Sequence, residues 1–320
     1  MTEQRLTSLE ICAGGGGQAL GLERAGFRHA VLVENDPHAC ATLQHNRPPW
    51  KVVEGDLAQF DARPYAGVDL VAGGVPCPPF SKAGKQLGAS DERNLFPEAI
   101  RVVSETRPRA IMLENVRGLL DPAFSEYRGW IDTQFHALGY DIGWKLLNAS
   151  DYGVPQLRPR VVMVGIRRDT GAAFAWPSPR TDPPPTVGQA LGAMMAEGGW
   201  EGAVAWAEGA DAIAPTVVGG SHKHGGPDLG PTRARRAWAM LGVDGLVLAN
   251  APPPAGFVGM PRLTVQMVAA IQGFPADWAF VGRKTHAYRQ VGNAFPPPVA
   301  MAVARQIALA LGAAGMQAAG

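Results

Sequence analysis

The sequence predicts an α/β fold, a mostly parallel sheet layered with helices, joined to a smaller and irregular second domain. Three observations predict it. Short apolar runs alternate with helical patterns through the first half of the chain. A glycine run, Gly14 to Gly17, follows the first strand and opens a helix. After "PQLRPRVVMVGIRRD" the alternation fades into a Pro-rich linker, "WPSPRTDPPPT", and then a Gly-rich stretch reaching about Phe257.

Each element has its own signal. "SLEIC" is a strand, and "QALGLERAG" a helix with apolar Ala19, Leu22 and Ala25, stopped by Gly26. "HAVLVEN" is the second strand. Asp36 and Pro37 suit the N-cap and first position of a helix over "PHACATLQHN". "KVVEGD", "VDLVAGG", "RAIMLEN" and, later, "VVMVGI" are further strands, and the chain closes on a helix in "PPPVAMAVARQIALAL". This order places a catalytic and cofactor-binding domain at residues 1–175 and a second domain at 176–285. A C-terminal segment, 286–320, returns to the first.

Composition sets bounds. A chain of 320 residues with 46% hydrophobic content can bury a sizeable core. A net charge of +1 points to no partner by itself, so any basic surface is local. Three widely spaced cysteines, Cys12, Cys40 and Cys77, suit a reducing compartment and match no zinc spacing, so no metal is expected. The N-terminus lacks a signal peptide's apolar core, and no apolar run reaches the ~18 residues of a membrane span. A cytoplasmic protein that does not engage membranes is expected.

The strands end on polar residues: Glu10, Glu34, Asp56, Cys77 after "GGVP", and Glu114 with Asn115. In a parallel sheet these ends line one edge, where ligands bind. The glycine run lets a ligand approach backbone and helix N-terminus, and an acid about 20 residues on, here Glu34, suits ribose hydroxyls. That pattern alone fits NAD as well as S-adenosylmethionine. The further acid Asp56 suits an adenine amino group. The absence of a basic residue placed for a pyrophosphate favours S-adenosylmethionine, whose sulfonium is cationic. Cys77 sits between Pro76 and Pro78, which fix φ and remove backbone donors, a way to aim a nucleophile. A carboxyl at Glu114, ending an apolar strand, can hold a proton near neutral pH. Arg158 and Arg160 in "QLRPR" are expected on one strand face, suited to phosphate or carbonyl oxygens.

The order "EICAGGGG", "VEND", "EGD", "PCPPFS", "ENV", "QLRPR", "RLTVQMVAAIQGFP", "QVGNAFPPPVA" resembles the motif series of the bacterial DNA cytosine-5 methyltransferases of restriction-modification systems. The likeness spares only about Arg168 to Gly259, the family's target-recognition region. It implies a Rossmann-like S-adenosylmethionine-dependent domain, with S-adenosylhomocysteine as product. It implies that Cys77 attacks C6 of a flipped-out cytosine, that Glu114 bonds N3 and the exocyclic amine, that Arg160 contacts the base carbonyl, and that Arg158 supports the catalytic loop. Cofactor contacts would come from Cys12, Ala13, Gly14, Gly16, Gly17, Glu34, Asn35, Asp56, Leu57, Pro76, Asn293 and Ala294. DNA contacts would come from Ser81, Lys82, Gln272 and Gly273. Four positions depart from the family: Pro78 replaces a Gln, Cys12 an aromatic residue, and Met267 with Ala270 a Glu–Arg pair.

The basic stretch from about Gly219 to Trp238 is expected to enter the DNA major groove with His222, Lys223, His224, Arg233, Arg235 and Arg236. Arginine reads guanine best, so a short G·C-rich duplex site is expected. The resemblance further implies a monomer, associated with the nucleoid through DNA, whose cognate restriction endonuclease, where one exists, makes no direct contact. Three other readings compete: an RNA cytosine-5 methyltransferase acting on tRNA, a catalytically silent DNA-binding relative, and a Rossmann dehydrogenase. The last leaves Cys77 and the arginines unexplained.

Overall fold

The computed structural model describes residues 5–76, 94–219 and 226–312. Cys77, Pro78, Ser81, Lys82, His222, Lys223 and His224 lie outside the described residues.

Seven strands form one sheet: β1 (Thr7–Ile11), β2 (Arg28–Glu34), β3 (Val52–Glu54), β4 (Leu70–Gly74), β5 (Ala110–Val116), β6 (Tyr140–Asn148) and β7 (Pro159–Arg167). Their order across the sheet is β3-β2-β1-β4-β5-β7-β6. The first five run parallel, and β7 lies antiparallel to both β5 and β6. The reversal has a functional consequence. It brings the start of β7, not its end, to the edge where the parallel strands finish.

The helices, in chain order, are α1 (Gly17–Arg24), α2 (Pro37–Asn46), α3 (Phe96–Thr106), α4 (Ser125–Ala137), α5 (Val187–Ala196), α6 (Ala203–Gly209), α7 (Thr232–Ala239), α8 (Val265–Ile271), α9 (Lys284–Asn293) and α10 (Pro297–Ala310). At the predicted start of α2, the Asp36 carboxylate accepts from the His38 amide at 2.8 Å and Pro37 sits in the first turn. Alternation along the strands sorts side chains onto two faces. Leu9, Ile11, Val71 and Ile111 pack under α3 and α4, with Phe96, Val103, Ile131 and Phe135. Leu70, Ala72, Met112 and Val164 pack under α10, whose Val299, Val303 and Ile307 form a stripe at i, i+4, i+8. Fully burying each such side chain contributes roughly 1.5–3 kcal/mol.

A second core gathers Val187, Leu191, Met195, Trp206, Trp238, Leu241, Leu263 and Met267. It runs on through Trp278, Tyr288, Val291 and Ala294 and takes in Leu20 of α1. The irregular half is thus seated on the glycine turn. Gly16 shows how closely: its φ is +88°, and a Cβ there would meet the Trp278 ring at 2.7 Å. Among the described residues, no helix is long and apolar enough to cross a membrane.

Candidate active site and cofactor cleft

The parallel strand ends open onto a cleft of about 680 Å³. Its wall holds Cys12, Ala13, Gly14, Gly17, Glu34, Asn35, Asp56, Leu57, Pro76, Asn293 and Ala294, all expected from the sequence to meet the cofactor. Gly16 does not line it; its place is the packing against Trp278. Glu34 is 8% exposed and already employed. Its Oε2 accepts from the Gly14 amide at 2.6 Å, and its Oε1 accepts from the amides of Asn35 and Asp36, each at 2.9 Å. The carboxylate therefore pins the glycine turn and the start of the next segment through three amides. Asp56 caps the turn at Leu57 by accepting from the Ala58 amide at 3.0 Å. Cys12 adopts φ +51°, uncommon for a side-chain-bearing residue. Burial, then Glu34, Glu10 and Asp56, push its thiol far above the ordinary range.

Glu114 lies at the floor of the same cleft. Antiparallel register sets Arg160 opposite Val116, so Glu114 is Arg160's diagonal neighbour on one face. Arg160 Nε stands 2.8 Å from Glu114 Oε1 with both side chains nearly enclosed. The contact is an ion pair without a well-directed hydrogen bond at Nε. Burial raises the Glu114 pKa above its ordinary value, while Arg160 and Arg158 oppose the rise. Neighbouring Asn115 donates from Nδ2 to the Val75 carbonyl at 2.8 Å, tying the end of β5 to the segment that leads into Pro76 and Cys77.

Arg158 does not lie on the strand with Arg160, contrary to the sequence expectation, though it is near enough to Arg160 and Glu114 for their charges to act on it. It precedes β7, is 0% exposed, and turns inward. Its Nη1 donates to the Val217 carbonyl, and its Nη2 to the Gly292 and Ala294 carbonyls. The side chain is thus enclosed and bonded to backbone carbonyls of other segments. The expected DNA contact of Gln272 is also corrected. Gln272 is 0% exposed, its Oε1 bonded to Gln156 and its Nε2 to the Val291 carbonyl. Gly273 makes a left-handed turn (φ +84°), where a Cβ would meet Pro298 at 2.8 Å. Where the family's Glu is replaced, Met267 serves the N-terminus of α8: its sulfur accepts from the Thr264 amide at 3.4 Å, and its own amide donates to Thr264 Oγ1. In the recognition segment, α7 carries Arg233 and Arg236 exposed and Arg235 half-buried, held down by buried Trp238.

Among the wall residues not singled out for the site are Glu10, Gln18, Arg289 and Gln290. Glu10 was visible as a strand end but given no role; both its carboxyl oxygens are enclosed without a well-directed hydrogen bond, the Ala19 backbone being its nearest donor. Burial pushes its pKa well above the carboxylate range, with Glu34 adding to the push. Gln18, Arg289 and Gln290 also line the wall. The last two flank the "VGNAF" motif, the only signal that could have pointed to them.

Comparison with known proteins agrees with this arrangement. The sequence model of the C-5 cytosine-specific DNA methylases matches residues 6–217 and 255–309. Its interruption is shorter than the stretch from Arg168 to Gly259 that the motif series spares. Type II methyltransferase M.NgoMIV of Neisseria gonorrhoeae is 58% identical over 311 residues, covering 96% of this chain and 98% of that one. Type II methyltransferase M.NaeI of Lentzea aerocolonigenes is 55% identical over 318 residues, 98% of this chain and 77% of that one. Among solved structures, a prophage-encoded protein of E. coli superposes with a TM-score of 0.69 at 23% identity, over 96% and 99% of the two chains. Dnmt2 of S. pombe gives 0.62 at 17% identity, over 96% and 98%. These two show the shared fold. The family's reaction transfers a methyl group from S-adenosylmethionine to C5 of cytosine in DNA, and the RNA, silent and dehydrogenase readings are not favoured. The chain belongs to the C-5 cytosine-specific DNA methylases of restriction-modification systems.

Proposed function

We propose that the chain methylates one cytosine within a specific duplex sequence through a covalent bond between Cys77 and C6 of a flipped-out base. The observation that carries this reading is the Glu114–Arg160 pair, buried at 2.8 Å on the floor of the cleft whose wall includes Pro76, the residue before Cys77. Flipping is required because C5 and C6 are not reachable within the stack.

The wall suits S-adenosylmethionine. Among the described residues it carries Glu10, Glu34, Asp36 and Asp56 against one guanidinium, Arg289. A cation in the cleft would favour the ionised form of the buried Glu10 carboxyl and offset part of its burial cost. Glu34 would take the ribose hydroxyls, Asp56 the adenine amino group, and Gly14 with Gly17 the approach to the α1 N-terminus. When bound, the cofactor supplies a methyl group on a positively charged sulfur.

The chain's own residues do the rest. Cys77, as thiolate, forms a bond to C6 and the electron pair passes to C5. An unassisted thiol is only a few per cent thiolate at neutral pH, so base activation must help. Glu114, with its raised pKa, hydrogen-bonds N3 and the exocyclic amine and delivers a proton to N3. Arg160 holds the base carbonyl and keeps Glu114 from being permanently neutral. Once C5 carries the methyl group, its proton leaves to a base, the S–C6 bond breaks, and Cys77 departs as thiolate.

Residues 1–175 would form the catalytic domain, 176–285 the target-recognition domain, and 286–320 the returning segment. The segment from Gly219 to Trp238 would read a G·C-rich site in the major groove. The protein would act as a cytoplasmic monomer on the nucleoid, with its cognate endonuclease, where one exists, making no contact. Bisulfite sequencing of DNA from cells expressing the protein tests the reading. Methylated cytosines at one recurrent motif, absent with Cys77→Ala, are expected; no methylation from the wild type would overturn it.

A further inference from the structure

We propose that Arg158 couples the recognition segment to the cofactor cleft, so that DNA held by the one tightens the grip of the other on cofactor. The inference rests on the assignment of cleft and segment above, and adds a connection between them. Arg158 Nη1 donates to the Val217 carbonyl at 2.7 Å, just before the segment that begins at Gly219. Its Nη2 donates to the carbonyls of Gly292 at 2.7 Å and Ala294 at 3.0 Å, which bracket the wall residue Asn293. One guanidinium therefore grips both sides.

Two buried amides close the ring. Gln156 Oε1 accepts from the Val217 amide at 2.8 Å. Its Nε2 donates to Gln272 Oε1 at 2.8 Å, and Gln272 Nε2 donates to the Val291 carbonyl at 2.7 Å. Two glycines leave no slack. A Cβ on Gly292 would lie 2.3 Å from Gly219 Cα, and a Cβ on Gly219 would lie 2.8 Å from Asn293 Oδ1. The two backbones touch where the recognition segment starts and the cofactor wall ends.

The chemistry is costly for a mere brace. A fully enclosed cation is expensive unless paired, and among the described residues no carboxylate forms an ion pair with Arg158. Its Nη donors meet backbone carbonyls on two different segments, and the Glu114 carboxyl acts on its charge from beyond ion-pair distance. Moving either segment strips the guanidinium of partners it cannot replace from water. The two segments therefore shift together, and a ligand that fixes one fixes the other. Such coupling is reciprocal by linkage.

Calorimetry of S-adenosylhomocysteine binding, with and without a saturating duplex carrying the motif mapped by bisulfite sequencing, tests this. In the wild type, DNA is expected to tighten binding by at least about five-fold, the lower range of allosteric coupling. In Arg158→Lys, which presents one point donor in place of a fork, the gain should fall below about two-fold while thermal melting stays cooperative. A purely structural arginine would lower the melting temperature and leave the ratio intact. Gly219→Ala keeps Arg158 and presses on Asn293; it is expected to weaken S-adenosylhomocysteine by at least about three-fold without DNA, again within the coupling range. No DNA effect in the wild type, or the wild-type ratio in a folded Arg158→Lys protein, overturns the proposal. If Arg158→Lys does not fold, Gly219→Ala decides: unchanged affinity overturns it. Failure of the underlying reading looks different, as a wild type that binds no S-adenosylhomocysteine or leaves no methylated cytosine, and it would take this proposal with it.

Discussion

Glu114 sits between opposing influences, and burial wins over the two arginines. Its folded pKa lies above the unfolded value, so the folded chain holds this proton more tightly than the unfolded one. The stability that follows is fully present below the ordinary pKa of 4.5 and is lost as pH rises through the raised folded value. Gln mimics the protonated acid. Glu114→Gln is therefore expected to melt at or above the wild-type temperature at pH 8, while methylation falls by roughly 10²-fold or more because the proton donor is gone. Differential scanning calorimetry beside a methyl-transfer assay checks both halves; a clear drop in melting temperature would contradict the burial argument. Glu34 differs because its three amide bonds hold the glycine turn as well as any ligand. Glu34→Ala should cost about 1–3 kcal/mol of stability for the unsatisfied amides and also weaken S-adenosylmethionine. Urea unfolding and calorimetry measure the two, and tight cofactor binding by the variant would count against the ribose assignment.

At the scale of elements, the five parallel strands were legible because each is a short apolar run ended by a polar residue or turn. β6 was not named from the sequence. It is an edge strand of mixed exposure, interrupted by Gly143, so neither a continuous nor an alternating pattern stands out. Arg158 and Gln272 were misplaced for a different reason. Arg158 meets carbonyls 59 to 136 residues away, and Gln272 pairs with a side chain 116 residues away; local spacing carries no trace of such partners. The recognition helix α7 yields a graded expectation. Arg233 and Arg236 are exposed, whereas Arg235 packs its stem near Gly245. Arg233→Ala and Arg236→Ala should relax the methylated motif at one base pair each, at ~1–3 kcal/mol of discrimination. Arg235→Ala should act mainly through stability. Genome-wide methylation mapping of each variant decides: an unchanged motif with a shallower salt dependence would mean phosphate contact alone.

Across the whole molecule, the two cores are joined at the glycine turn. Trp278 is buried, donates from Nε1 to the Gly15 carbonyl at 3.1 Å, and fills the space beside Gly16. Trp278→Ala should cost about 3–5 kcal/mol and weaken cofactor binding from the far side of the wall; urea unfolding reads the first and calorimetry the second. The motif series made the cleft legible in advance, since most wall positions fall within it, but not the way the irregular half leans on that wall. Catalysis needs every part at once: DNA read, base extruded, thiol aimed at C6, methyl group delivered to C5. One experiment interrogates them together. A duplex carrying 5-fluorocytosine at the mapped position lets attack and methyl transfer proceed but blocks release, because fluorine cannot leave C5 as a proton does. Denaturing electrophoresis with S-adenosylmethionine present should show a stable protein–DNA adduct for the wild type and none for Cys77→Ala, although the variant still binds the duplex. A wild type that methylates the unmodified site yet forms no adduct, or a Cys77→Ala protein that does form one, would contradict the covalent mechanism.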